Sequence, residues 1–86
     1  MPTICMFRGI KIYINWSEHN PPHFHATYGG EEVSVLIHEL EVFDGTLPHK
    51  QLKMLLGWAA LHQDELLENW ELAAKRQELF PIDPLK

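Results

Sequence analysis

The stretch HFHATYGGEEVSVL, residues 23–36, constrains the fold more than any other part of the chain. Gly29 and Gly30 offer two consecutive positions for positive φ, the requirement of the tight hairpin turn whose twist matches its strands. With this pair at the turn, Tyr28 lies opposite Glu31, Ala26 opposite Val33, His25 opposite Ser34, Phe24 opposite Val35 and His23 opposite Leu36. The register sorts the side chains by polarity. Phe24, Ala26, Val33 and Val35 share one face, and His23, His25, Thr27, Glu32 and Ser34 share the other. The first face is expected in the core, and the second, with both histidines, at the surface.

Upstream, "TICMF" reads as a strand turning at Arg8-Gly9 into a second, in which Ile10, Ile12 and Ile14 alternate with Lys11, Tyr13 and Asn15. "SEHNPP" then breaks the ladder, because proline has no backbone N–H to donate. A short strand near Val42 and Phe43 closes the β region at "DGT". After Pro48, which suits a first helical turn, Leu52, Leu55, Leu56, Ala59, Leu66, Trp70 and Ala73 recur at helical spacing. Gln63 interrupts that stripe, so a kink or break is expected there, with Asp64 capping a second helical segment.

At 86 residues the chain buries only about two thirds of its unfolded surface, enough for one core. The expectation is a single α+β domain over 1–86. A mostly antiparallel sheet of about four strands spans roughly 3–45, and a long kinked C-terminal helix or two helices, about 48–77, pack on one face. A proline-containing extended tail, 78–86, completes it.

Composition narrows function. Hydrophobic residues make up 45% and charged residues 22%, as in folded globular chains. No run approaches the roughly 18 apolar residues of a membrane span, and the N-terminus lacks the features of a signal peptide, so cytoplasmic residence is the expectation. The single cysteine, Cys5, has no internal disulfide partner and reads as core. Net charge is −5, and residues 31–44 hold five acids and no Lys or Arg. That field opposes non-specific nucleic-acid binding, apart from a local basic patch at Arg8 and Lys11.

His23 and His25, at i and i+2 on one strand, let two imidazoles reach one metal ion from the same face. Zinc usually takes at least three protein ligands, and His19, Glu32 and Tyr13 are the candidates to complete the set. The alternatives are polar strand residues hydrogen-bonded to the Pro21-Pro22 loop, or a contact surface for a partner or nucleotide. On the helix, Trp58, His62, Glu65 and Asn69 form a stripe beside the apolar face. His62 with Glu65 suits either a base with its orienting carboxylate or two metal ligands, and equally a helix edge bonded to the sheet. Trp58 and Trp70 read as core anchors, since base-stacking platforms normally have basic neighbours. The helical His-Glu-x-x-His zinc motif, a P-loop, a dinucleotide fingerprint and a Gly-x-Ser-x-Gly elbow are all missing.

"MPTI", "EHNPPHFHATYGG", "GTLP" and "WAALHQDELLENW" together resemble a family of small bacterial proteins known as domain of unknown function 4160. The resemblance covers nearly the whole chain. Its motif positions fall on His23, His25, Trp58, His62, Glu65, Asn69 and Trp70. The chain departs from the pattern at His49, where a basic residue is expected after "LP", and at Gly57, where an acid is expected before the tryptophan. What the resemblance implies is a context: pairs of adjacent small genes that look like toxin and antitoxin modules.

Two functions follow as expectations. The first is a partner-binding member of such a pair, with a small cognate protein from a neighbouring gene and no enzymatic activity or cofactor. Tyr13, His19, Glu32 and Asn69 are its candidate contact residues, and a homo-oligomer is open. The second is a histidine-dependent or metal-dependent nuclease or hydrolase using zinc or manganese. His23 and His25 are its metal ligands or proton carriers, with His62 and Glu65 as catalytic partners. It requires the strand and helix groups to converge, which a helix packed on the Phe24 face opposes.

Overall fold

A computed structural model describes residues 2–86; Met1, the first residue of "MPTI", lies outside them. Five strands come first: β1 (Thr3–Phe7), β2 (Ile10–Tyr13), β3 (His23–Tyr28), β4 (Glu31–Leu36) and β5 (Val42–Gly45). Two helices follow, α1 (His49–Leu61) and α2 (Gln63–Ala74). The sheet is an antiparallel meander in sequence order, with β1 and β5 at its edges. The count is five where about four were expected; the short strand expected near Val42 and Phe43 is β5, four residues long and exposed throughout.

The hairpin register is the one read from the sequence, from His23 opposite Leu36 to Tyr28 opposite Glu31. Gly29 (φ +54°) and Gly30 (φ +88°) both take the left-handed conformation that this turn demands. On the far side of β3, Tyr13 pairs with His25 and Ile12 with Ala26. One sheet face therefore presents Ile10, Ile12, Phe24, Ala26, Val33 and Val35, all buried completely. The helices cover this face. Trp58 of α1 meets Phe24 at 6.2 Å and Phe7 at 5.8 Å between ring centroids, and Leu55, Ala59, Leu66 and Ala73 fill the space around it. Burying side chains of this size contributes about 1.5–3 kcal/mol each.

The helical region breaks where the stripe predicts, between Leu61 and Gln63. Asp64 is not the cap. His62 occupies the junction with φ −123° and ψ 26°, while Asp64 and Glu65 sit in the first turn of α2, where acids suit the helix dipole. Gln63 explains the break: its amide nitrogen donates to the carbonyls of Ile37 (2.7 Å) and His38 (3.0 Å), turning the residue toward the end of β4. α2 also stops at Ala74, three residues short of the expected limit.

The tail lies over the domain. Asn69, fully buried, donates to the Phe80 carbonyl (2.9 Å) and accepts from the Phe80 N–H (3.0 Å). The Trp58 indole donates to the Asp83 carbonyl, and Ile82 N–H donates to Ile4 of β1, each at 2.8 Å. The chain end thus covers part of the β1 edge.

Candidate functional site: a histidine–carboxylate centre

The second face of the sheet carries Tyr13, His25, His23 and Ser34, and it is not exposed as the alternation predicts. His23 is 6% and His25 9% accessible. Three elements cover them. Trp70 of α2 reaches the His23 ring at 5.1 Å and Phe43 of β5 approaches it at 5.6 Å, while Tyr13 stacks on His25 at 4.9 Å with 16° between planes. The third element is the segment 14–22 between β2 and β3, which carries Glu18.

That segment is tied down along its length. Ser17 N–H donates to Ala73 (3.2 Å), the Trp16 indole donates to Gln77 (3.3 Å), and Ile37 N–H donates to Pro22 (3.0 Å). Asn20-Pro21 is a cis peptide bond. Held in this way, Glu18 lays its carboxylate across both imidazoles. Oε2 is 3.1 Å from His23 Nε2, and Oε1 is 2.7 Å from His25 Nε2.

The remaining ring nitrogens fix the protonation states that are possible. His23 Nδ1 lies 2.8 Å from the Pro21 carbonyl, which can only accept, so Nδ1 carries a hydrogen. A neutral His23 then points a bare Nε2 lone pair at a carboxylate. Two acceptors cannot share 3.1 Å unless a cation, a proton or a metal ion, lies between them. His25 Nδ1 meets the Ser34 hydroxyl at 3.0 Å, and that hydroxyl can donate or accept. Because the Glu18 carboxylate can only accept, His25 Nε2 carries the hydrogen when no metal is bound, and Nδ1 accepts from the Ser34 hydroxyl.

These surroundings shift the neighbouring acids in opposite directions. Burial alone would raise the Glu18 carboxyl, yet the hydrogen bonds and charges of His25 and His23 outweigh it and hold the group below its ordinary value. Burial, with the nearby Glu32 and Glu18 carboxylates, pushes the Tyr13 phenol up to about 12.

Ser34, His25 and Glu18 also stand in the order of a hydroxyl, an imidazole and an orienting carboxylate. A nucleophile role does not fit. Ser34 is 8% accessible and lies inside the sheet between His25 and Asp44, so nearby main-chain N–H groups serve the ladder instead of forming an oxyanion site. What the hydroxyl does is hold the His25 ring.

A metal ion fits the same three side chains. Glu18, His23 and His25 each offer a ligand atom, all within 4.8 Å of one another. Tetrahedral zinc with bonds near 2.0–2.1 Å places adjacent ligand atoms about 3.3 Å apart. The 3.1 and 2.7 Å contacts, made through different oxygens of Glu18, would widen by about 0.2 and 0.6 Å, and ligand atoms as much as 4.8 Å apart would draw closer, as the ion is bound. Each histidine also has its other nitrogen held, by Pro21 or Ser34, as metal-bound imidazoles normally do.

None of the other candidates joins the three ligand side chains. His19 is exposed on the same segment. Glu32 is mostly exposed, with an oxygen 4.0 Å from His25 Nδ1. Tyr13 touches the centre through its ring, and Asn69 is buried under the tail, so it offers no surface for a partner. His62 and Glu65 pair with each other at 2.5 Å beside Trp58 and do not join the strand histidines.

Sequence reasoning missed Glu18 and the part played by Ser34. For Ser34 the signal was present, since the hairpin register places it directly opposite His25 on the histidine face. For Glu18 the signal was weaker: an acid beside His19, in a segment stiffened by two prolines.

Comparison with curated proteins and with solved structures gave no significant match. A family model described as Domain of unknown function (DUF4160) matches residues 9–71. That span holds Glu18, His23, His25 and Ser34 together with the His62 and Glu65 pair, and the chain belongs to this family.

Proposed function

We propose that Glu18, His23 and His25 form a divalent-metal centre and that the protein works through it as a metal-dependent hydrolase. One observation carries this reading: Glu18, His23 and His25 each bring a ligand atom within 4.8 Å of the others, with the second nitrogen of each ring held by Pro21 or Ser34. Two imidazoles and one carboxylate are a donor set suited to zinc, with manganese as the harder alternative. Three protein ligands leave a position open. A metal held this way supplies Lewis acidity and an activated water.

The residues around the ligands have their own tasks. With metal present, His25 takes the tautomer whose Nδ1–H donates to Ser34, freeing Nε2 as a ligand. Tyr13 fixes the ring plane by stacking. The Glu18 side chain, 23% exposed against 8% and 11% for the histidines, is the most solvent-accessible of the three. His62 and Glu65 have no part in this centre.

Calorimetric titration of metal-free, tag-free protein with zinc and with manganese tests the reading. Saturation at one ion per chain, lost when His23 and His25 are both changed to alanine, is the expected result. No heat of binding with either ion counts against it.

A second reading has its own observation. Exposed Val42 and Phe43 lie within an acid-rich stretch, residues 31–44, a pattern suited to a basic partner. On this reading the chain is the partner-binding member of a two-gene, toxin–antitoxin-like pair. Co-expression with the neighbouring small gene should give co-elution from a sizing column, and separate elution counts against it.

A further inference from the structure

The two edges of the sheet are treated differently. At β1 the tail crosses the outer side, with Ile82 N–H bonded to the Ile4 carbonyl. At β5 nothing comparable occurs among the described residues: its main chain bonds inward to β4, and its outer groups have no partner. An edge with free N–H and C=O groups is a template for another strand.

β5 is also held in shape. Glu41 accepts from Leu36 N–H (2.8 Å) before it, and Thr46 N–H donates to Glu32 (3.1 Å) after it. Gly45 makes the second contact possible. Its φ is +72°, and a Cβ there would lie 2.2 Å from the Glu32 carbonyl oxygen. Both ends of the edge are thus fixed by main-chain bonds, while between them the register shifts so that Phe43 has no residue opposite.

Its side chains select the occupant. Val42 is 41% and Phe43 54% exposed, an apolar pair larger than edge protection calls for. Glu31, Glu32, Glu39, Glu41 and Asp44 lie on this strand, on its neighbour or in the connection between them, with no Lys or Arg among residues 31–48. A second copy of the chain is a poor fit. Pairing β5 with itself sets two such groups of acids against each other across a strand spacing of about 4.8 Å.

We propose that β5 is the docking edge for a basic, extended segment of a partner protein, which joins the sheet as a sixth strand. The main chain supplies the pairing, Val42 and Phe43 the apolar contact, and the acids the selection for Lys and Arg. Because Phe43 lies against His23, the docked strand also covers one side of the histidine centre. This rests on the partner-binding reading and is independent of the metal.

The test uses the full chain, labelled for NMR, and two short synthetic peptides: one alternates arginine with valine, the other glutamate with valine. The basic peptide should shift the amides of residues 41–46, slow hydrogen exchange along β5, and bind about tenfold or more weakly at high salt. The acidic peptide should leave the spectrum unchanged. A Glu41→Lys, Asp44→Lys variant, altered only at exposed positions, should lose roughly tenfold or more in affinity for the basic peptide. Shifts centred elsewhere, equal binding of both peptides, or no saturable binding to the wild-type chain overturns the proposal, and these wild-type results decide it even if the variant misfolds. A co-eluting partner that leaves the β5 amides unchanged overturns this edge alone, whereas separate elution removes the partner reading itself.

Discussion

His23 Nε2 stands 3.1 Å from Glu18 Oε2, while the other nitrogen of the same ring donates to the Pro21 carbonyl at 2.8 Å. Glu18→Gln separates the demands of the fold from those of the metal. A glutamine amide can donate to the His23 lone pair, so the buried ring stays satisfied without a cation. Thermal stability without metal should change by no more than about 1 kcal/mol. Zinc affinity should fall by about 100-fold or more, because losing a ligand exceeds the 10–100-fold cost of losing an outer partner. Thermal melts and zinc titrations of the two proteins check both numbers.

Ser34→Ala removes the hydroxyl that holds His25 Nδ1 and leaves a buried nitrogen unpaired. The expected cost is about 1–3 kcal/mol of stability, with zinc affinity lowered by about 10–100-fold. If Ser34 were a nucleophile, activity would vanish while metal affinity stayed intact. Denaturant melts and calorimetry of the one variant distinguish these outcomes.

Asn69→Leu tests the tail. The amide of Asn69 makes both bonds to Phe80, and a leucine of similar volume leaves the Phe80 N–H and C=O without partners. A loss of roughly 2–4 kcal/mol is expected. Limited proteolysis should then cut residues 77–86 before the sheet, whereas in the wild-type chain the tail should be protected.

Cys5 is buried, and burial raises its thiol pKa, so it stays a protonated thiol across the neutral range. A disulfide reagent at mildly alkaline pH should leave the native protein nearly unmodified and label Cys5 fully in denaturant. Rapid labelling under native conditions would mean that β1 opens easily.

The parts of the fold that could be read from sequence are those set by local chemistry. Gly29-Gly30 determines the hairpin register because only positive φ closes that turn, and Gln63 marks the helix break because a polar side chain interrupts the stripe. The burial of the histidines could not be read in this way. Period-two alternation says which side chains share a face, but what covers that face depends on Trp70, Phe43 and Glu18 arriving from distant parts of the chain. Asn69 illustrates the same limit: helical spacing places it on a polar stripe, and the tail then buries it. Glu18 was hidden because a loop has no periodicity from which to infer direction.

The central claim is that a metal ion occupies the gap between His23 and Glu18. The most direct measurement is elemental analysis of tag-free protein purified without chelating resin, alongside the Glu18→Gln variant prepared identically. Near-stoichiometric zinc or manganese in the wild-type protein, absent from the variant, is the predicted result. Wild-type protein that holds neither metal after incubation with both, and melts at the same temperature with or without them, would contradict the account and leave a proton as the cation between the two side chains.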